Sequence, residues 1–199
     1  MELEGIAEAV ARRLFVELEA SGRHVHLTKD QCLALFGHGL TPKRPLSQPG
    51  QFLAEERVTV VGPRGCFRNV AVLGPERPEG QVEISMTDGR TLGIEAPVRL
   101  SGDVQDTPGV ELQGEKGRIF LQNGVIVAKR HIHLDQNGAK TFGVEDGQIV
   151  KLQTLTDRPL IFGDVVIRVR EDFANYAHLD FDEANACGFR KGDLGRILT

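Results

Sequence analysis

The word RHVHL at residues 23–27 returns as RHIHL at residues 130–134. Together the two copies hold four of the chain's six histidines. The likeness is longer than five residues. RHVHLTKDQCLALFG aligns with RHIHLDQNGAKTFG. Each reads as a strand with a histidine pair, a helix cap, a short helix and a Phe-Gly stop. A chain that writes this unit twice is constrained to build two similar pieces, each presenting its histidines from the same local frame.

The remaining sequence is rich in short β-prone runs: RVTVVG, NVAVLG, QVEISM, GVELQG, GRIFLQNGVIVA, GQIVKLQTL and LIFGDVVIRV. Gly and Pro punctuate them, with 23 and 9 in the chain. The pattern predicts a mainly β protein, two similar β-barrel domains with short helices and an N-terminal helix. The N-terminal helix rests on Leu3, Ile6, Val10 and Leu14, spaced as one helical stripe within residues 3–15. It is expected to pack on the core, or else to dock on a partner or shell. Turn formers gather in SGDVQDTPGVEL, residues 101–112, and place the domain boundary there. The expected division is residues 1–20 as helix and lead-in strand, 21–105 as the first barrel and 106–199 as the second, with strands free to exchange between them. One continuous sheet system is the alternative.

Net charge is −4 and the pI near 5.9, which argues against nonspecific nucleic-acid binding. An anionic substrate would need locally concentrated cations. No apolar run reaches the roughly 18–20 residues of a membrane helix, and no signal peptide is visible. Cys32, Cys66 and Cys187 form no CxxC pair and are read as small packed residues in a reducing cytoplasm.

Alternate strand residues share a face. His24 and His26 therefore point one way and Val25 the other. His131 and His133 do the same around Ile132. Two imidazoles about 6–7 Å apart at Cα can hold one metal ion. His178 is the best further imidazole and Glu83 the best carboxylate by context. This donor chemistry suits zinc, with iron, cobalt, nickel and copper as other candidates. His38 reads as a solvated turn residue. Arg23 and Arg130 face away from their neighbouring histidines, toward a salt bridge or a substrate. Arg77 sits on a proline-stiffened segment, a good place for an anion-binding guanidinium.

The segments SGRHVHL, LFGHGLTPKRPLSQPGQF, VLGPERPEGQVEIS, APVRLSG, GVIVAKRHIHL and DFDEANACG, in this order, resemble the propanediol-utilization type of phosphotransacylase. This is the phosphate propanoyltransferase family of bacterial microcompartments and its cytoplasmic relatives. The resemblance covers roughly residues 21–190. It implies two β-barrel domains and a two-zinc site that exchanges an acyl group between coenzyme A and phosphate. It assigns His24, His26 and Glu83 to one zinc and His131, His133 and His178 to the other. Arg77 matches the arginine that holds phosphate. Ser21, Leu73, Ser101 and Asn185 match positions lining the coenzyme A or phosphate pocket. There are departures: residue 71 is alanine where a basic residue is expected to help bind coenzyme A, and LDQNGA replaces the usual cap after the second pair.

The expected reaction is acyl-CoA + phosphate ⇌ acyl phosphate + CoA, by direct attack of phosphate on the thioester. A metal-dependent thioester or acyl-phosphate hydrolase and a non-catalytic metal- or CoA-binding module are the alternatives. Expected partners are acyl-CoA, inorganic phosphate and acyl phosphate, with no nucleic acid and no membrane. A homo-oligomer and a microcompartment-shell contact through residues 1–15 complete the list. The expected location is the cytoplasm or a microcompartment lumen.

Overall fold

The computed structural model describes residues 13–199. The helix expected over residues 3–15, and the shell contact assigned to it, lie almost wholly outside the described residues. In chain order, β1 (Val16–Ser21), β2 (His24–His26), α1 (Lys29–Phe36), β3 (Pro42–Pro45), β4 (Phe52–Val61) and β5 (Cys66–Gly74) come first. Next are β6 (Gln81–Ile84), α2 (Met86–Leu92), β7 (Val98–Arg99), β8 (Val110–Gln113), β9 (Arg118–Leu121) and β10 (Val125–Ala128). Last are β11 (His131–Leu134), α3 (Gln136–Phe142), β12 (Ile149–Leu155), β13 (Ile161–Val169), β14 (Tyr176–Asp180), α4 (Phe181–Ala186) and β15 (Leu194–Leu198). The chain is mainly β with a few short helices, as its turn-punctuated runs predict.

It divides into two compact units. One is continuous, Gly22–Lys129. The other is split, combining the described residues up to Ser21 with Arg130–Thr199. The break thus falls between Lys129 and Arg130, not within residues 101–112. Strand pairing is the reason. β8 joins β4, and β10 joins β6, so the segment after residue 106 completes the continuous unit's sheet. Conversely, β1 lies between β14 and β15 and belongs with the C-terminal strands.

The split unit is a closed barrel in the order β1-β14-β11-β13-β12-β15. The continuous unit is a curled half-barrel sheet, β7-β10-β6-β2-β5-β4-β8-β9, with β3 on β4. Alternation builds each core. In β12 the side chains of Val150, Leu152 and Thr154 go inward while Lys151 and Gln153 turn away. Val25 and Ile132, between the histidines of each word, are fully buried. Each secures its histidine strand with about 1.5–3 kcal/mol of apolar burial.

Every histidine strand, and its antiparallel neighbour, runs straight into a capped helix. Thr28 caps α1 with a reciprocal bond from Gln31, and Asp135 caps α3. Both helices stop at the glycine of their Phe-Gly words. Ser85 and Asp180 cap α2 and α4, each with an acid at the third helical position completing a capping box. Sequence reading finds only the first two helices, which the repeated words with their cap residues and Phe-Gly stops announce.

Candidate metal and substrate site

In the continuous unit, β2 runs antiparallel to β6 with His24 directly opposite Glu83. Directly opposed residues share a face, so His24, His26 and Glu83 converge. The Nε2 atoms of His24 and His26 are 3.2 Å apart. Glu83 Oε2 stands 3.5 Å from His24 Nε2, and Oε1 stands 3.9 Å from His26 Nε2. The outer ring nitrogens face backbone carbonyls: His24 Nδ1 lies 2.8 Å from Gly22 O and His26 Nδ1 lies 3.2 Å from Leu73 O. A carbonyl accepts only, so Nδ1 carries the proton in the neutral ring. Both Nε2 lone pairs then point at one another, an arrangement that a cation between them satisfies.

In the absence of an ion the same groups set the charges of the trio. Burial disfavours charge on His24, yet the Glu83 carboxylate outweighs it and the imidazole is shifted upward. Burial, the His24 charge and Arg77 hold His26 well below the usual histidine range. Burial alone would raise Glu83, but His24, His26 and the Ser101 hydroxyl keep it firmly ionised.

In the split unit, β11 runs antiparallel to β14 with His131 directly opposite His178. Ring centroids are 4.6 Å apart for His131 and His133, 4.9 Å for His131 and His178, and 4.8 Å for His133 and His178. His133 is buried, with neither ring nitrogen hydrogen-bonded. Burial, the two neighbouring imidazoles, Arg168 and Arg170 all oppose its protonation. A buried, neutral, unpartnered imidazole is costly, and a metal ion is the partner its geometry fits. Glu19, on β1, places Oε2 3.3 Å from His178 Nδ1, the carboxylate–histidine pairing that orients a ligating ring. In each trio the donor atoms all lie within 4.8 Å of one another. The residues present thus fit zinc in both places.

Arg23 and Arg130 do not turn to the histidines. Arg23 forks onto Asp88 in α2, with Nε and Nη2 at 3.1 and 2.6 Å from its two oxygens. Arg130 Nε donates to Glu183 in α4. Both acids are the third helical residues of the capping boxes just described. Arg77 donates from Nη1 to Ser101 Oγ at 3.0 Å, which brings it into the network around Glu83.

The expected pocket residues scatter more. Ser101 lies beside Glu83, and Leu73 orients His26 through its carbonyl. Ser21 ends β1 in register with Asp180, and Asn185 is exposed on α4. Ala71 sits in β5 between His24 on one side and Arg57 on the other. His38 is largely exposed, as expected of a turn. Cys32 and Cys187 are buried, and burial pushes the Cys32 thiol up to about 12. Cys66 is exposed at the start of β5 and is not a packed residue, because its end of the strand lies beyond the core.

Sequence reasoning missed Gln81, Glu19, Asp88 and Glu183. Gln81 was within reach, since it stands two residues before Glu83 and shares its face. Glu19 gave no signal, because only the closing of the barrel brings it to His178.

Comparison with known proteins agrees with this geometry. Residues 17–190 match the family profile described as phosphate propanoyltransferase. The chain is 49% identical to a phosphate propanoyltransferase of Clostridioides difficile over 98% of this chain and 95% of the relative. It is 52% identical to one from Listeria monocytogenes, again over 98% and 95%. It is 54% identical to one from Thermotoga maritima over 89% of this chain and 86% of the relative.

Proposed function

The chain belongs to the phosphate propanoyltransferase family and is a phosphate acyltransferase; from that premise we propose that it exchanges a short acyl group between coenzyme A and inorganic phosphate with two zinc ions per chain. His24, His26 and Glu83 would hold one ion, and His131, His133 and His178 the other. The observation that carries this reading is the unpartnered buried His133 within a trio whose counterpart also converges its Nε2 lone pairs. Bound zinc would supply Lewis acidity toward a phosphate or carbonyl oxygen or the departing thiolate sulfur.

The protein's own groups do the rest. Arg77 grips phosphate through two N–H groups of its planar fork and offsets its charge. Holding phosphate beside the thioester removes much of the entropy cost of a two-body encounter. A phosphate oxygen then attacks the thioester carbonyl carbon. The C–O bond forms, the C–S bond breaks, and coenzyme A leaves as the thiolate. Cys32 and Cys187 are buried with raised thiol pKa values, which makes them poor nucleophiles. Cys66 is exposed but begins β5, five residues before the Ala71 that pairs with His24, so direct transfer is favoured over a covalent acyl-enzyme. Among the described residues no helix is long and apolar enough to cross a membrane.

Thiol release from acetyl-CoA and propanoyl-CoA, with and without phosphate, tests the reading on protein of counted zinc content. Phosphate-dependent release with about two zincs per chain is expected. Equal release without phosphate would replace the transferase by a hydrolase. Arg77→Ala should keep its zinc and lose about 10²–10³ in phosphate-dependent kcat/KM, the scale of a lost charge-stabilising donor. Full turnover would remove Arg77 from the phosphate.

A further inference from the structure

We propose that Gln81 is a positioning residue that locks the metal-ligating Glu83 and the phosphate-holding Arg77 into one hydrogen-bonded unit through Ser101; the assignment of phosphate to Arg77 rests on the preceding section. Gln81 is 2% exposed. It stands opposite His26 across β2 and two residues before Glu83, so its side chain shares the ligand face.

Its amide is used on both sides. Nε2 donates to Glu83 Oε1 and, at 2.9 Å, to Ser101 Oγ. Oε1 accepts the Gly102 N–H at 2.7 Å. The orientation is fixed by this set. Flipping the amide would face oxygen with a carboxylate and set two donors against each other at Gly102. Ser101 is fixed in turn. Its oxygen accepts from Gln81 and from Arg77 Nη1, so its one proton goes to Glu83 Oε1, 2.8 Å away. A turn closed by Asp103 N to Leu100 O presents the hydroxyl and the Gly102 amide together. Gly102 adopts φ +97 to do so, a conformation that favours glycine.

Glu83 Oε1 therefore receives two hydrogen bonds from Gln81 and Ser101. Oε2, the oxygen nearer His24 Nε2, receives neither bond and would be the one to ligate an ion. Glu83 is set to ligate through one oxygen before any metal arrives. Through Ser101 the same chain anchors the guanidinium of Arg77.

The test replaces Gln81 by Met, which keeps an unbranched side chain and deletes the amide, and Ser101 by Ala and by Thr. Two readouts are taken: zinc affinity by competition with a chromophoric chelator, and KM for phosphate against KM for acyl-CoA. Gln81→Met and Ser101→Ala should weaken one of two zinc sites about 10–100-fold, the range for lost partners of metal ligands. Both should raise the phosphate KM, Gln81→Met should do so while the acyl-CoA KM holds, and Ser101→Thr, which keeps the hydroxyl, should recover the zinc affinity that Ser101→Ala loses. Wild-type zinc affinity and phosphate KM in both Gln81→Met and Ser101→Ala, even with a lowered melting temperature, would reduce Gln81 to a packing residue. If Gln81→Met does not fold, the Ser101 pair decides on the same readouts. Chelator competition needs no turnover, so it stands even if wild-type protein fails to transfer acyl groups to phosphate.

Discussion

The Glu83 trio and the His178 trio are built on the same frame with different charge. In both units the histidine strand lies between a parallel and an antiparallel neighbour: β5 and β6 around β2, β13 and β14 around β11. In both, the third donor sits directly opposite the first histidine. In both, the arginine that opens the word clasps an acid in the helix that follows the third donor. The third donor itself is where they part. A carboxylate lets one trio balance charge internally, and His24 rises while Glu83 stays ionised. A third imidazole leaves the other trio with His133 neutral and unsatisfied. Its stability should therefore depend more on a bound ion.

The largest effect expected from this difference is on metal retention and what the metal holds together. His131→Ala and His24→Ala should each remove about one of two zinc equivalents, counted by elemental analysis. Stripping zinc from wild-type protein should destabilise the split unit more than the continuous one, read by hydrogen exchange in β11 and β2. Equal loss of protection in both strands would mean that the carboxylate does not substitute for the ion.

A smaller effect follows from pH. In metal-free protein, His133 and His26 are held below their ordinary range. Unfolding releases them to protonate, so the unfolded state binds more protons once pH falls below about 6.5. Their contribution is intact above that value and is lost on acidification, by at most about 1.4 kcal/mol per pH unit per group. His24 is shifted the other way. Its contribution is present below about 6.5 and lost as pH rises through its raised pKa. Melting of chelated protein across this range should therefore show acid destabilisation, and His133→Gln should flatten it. A His133→Gln profile parallel to wild type would show that the neutral ring is not the source.

Much of this frame can be read from the words themselves. Period-two alternation places both histidine pairs and buries Val25 and Ile132 behind them, and cap residues locate α1 and α3. The third donors were legible only as candidates by residue type, and the resemblance assigned each to its pair, because nothing local in GQVEIS or YAHLD marks Glu83 or His178 as opposite a histidine. The domain boundary was misplaced because turn residues record where a chain bends, not which strand it next joins. Glu19 shows the same limit: its role exists only once β1 pairs with β14.

The smallest effect concerns the two arginine clamps, and it sharpens the comparison most. Each clamp acid also caps its own helix. Asp88 Oδ2 accepts the Ser85 N–H and Glu183 Oε2 accepts the Asp180 N–H. Arg23 is about one-third exposed and leans on the Phe67 ring at 4.1 Å. Asp88 itself is buried, so Arg23→Gln should lower stability by leaving that carboxylate without its fork. Arg130 has more to offset. Burial raises Glu183, and the adjacent Asp180 raises it further. Arg130 counters both and also donates to Gly163 O at 2.8 Å. Without it, the folded state prefers Glu183 protonated more strongly, so the stability of Arg130→Gln should decline as pH rises through the carboxylate range and recover in acid. Equal, pH-independent losses in the two variants would make the clamps interchangeable and confine the asymmetry of the molecule to its third donors.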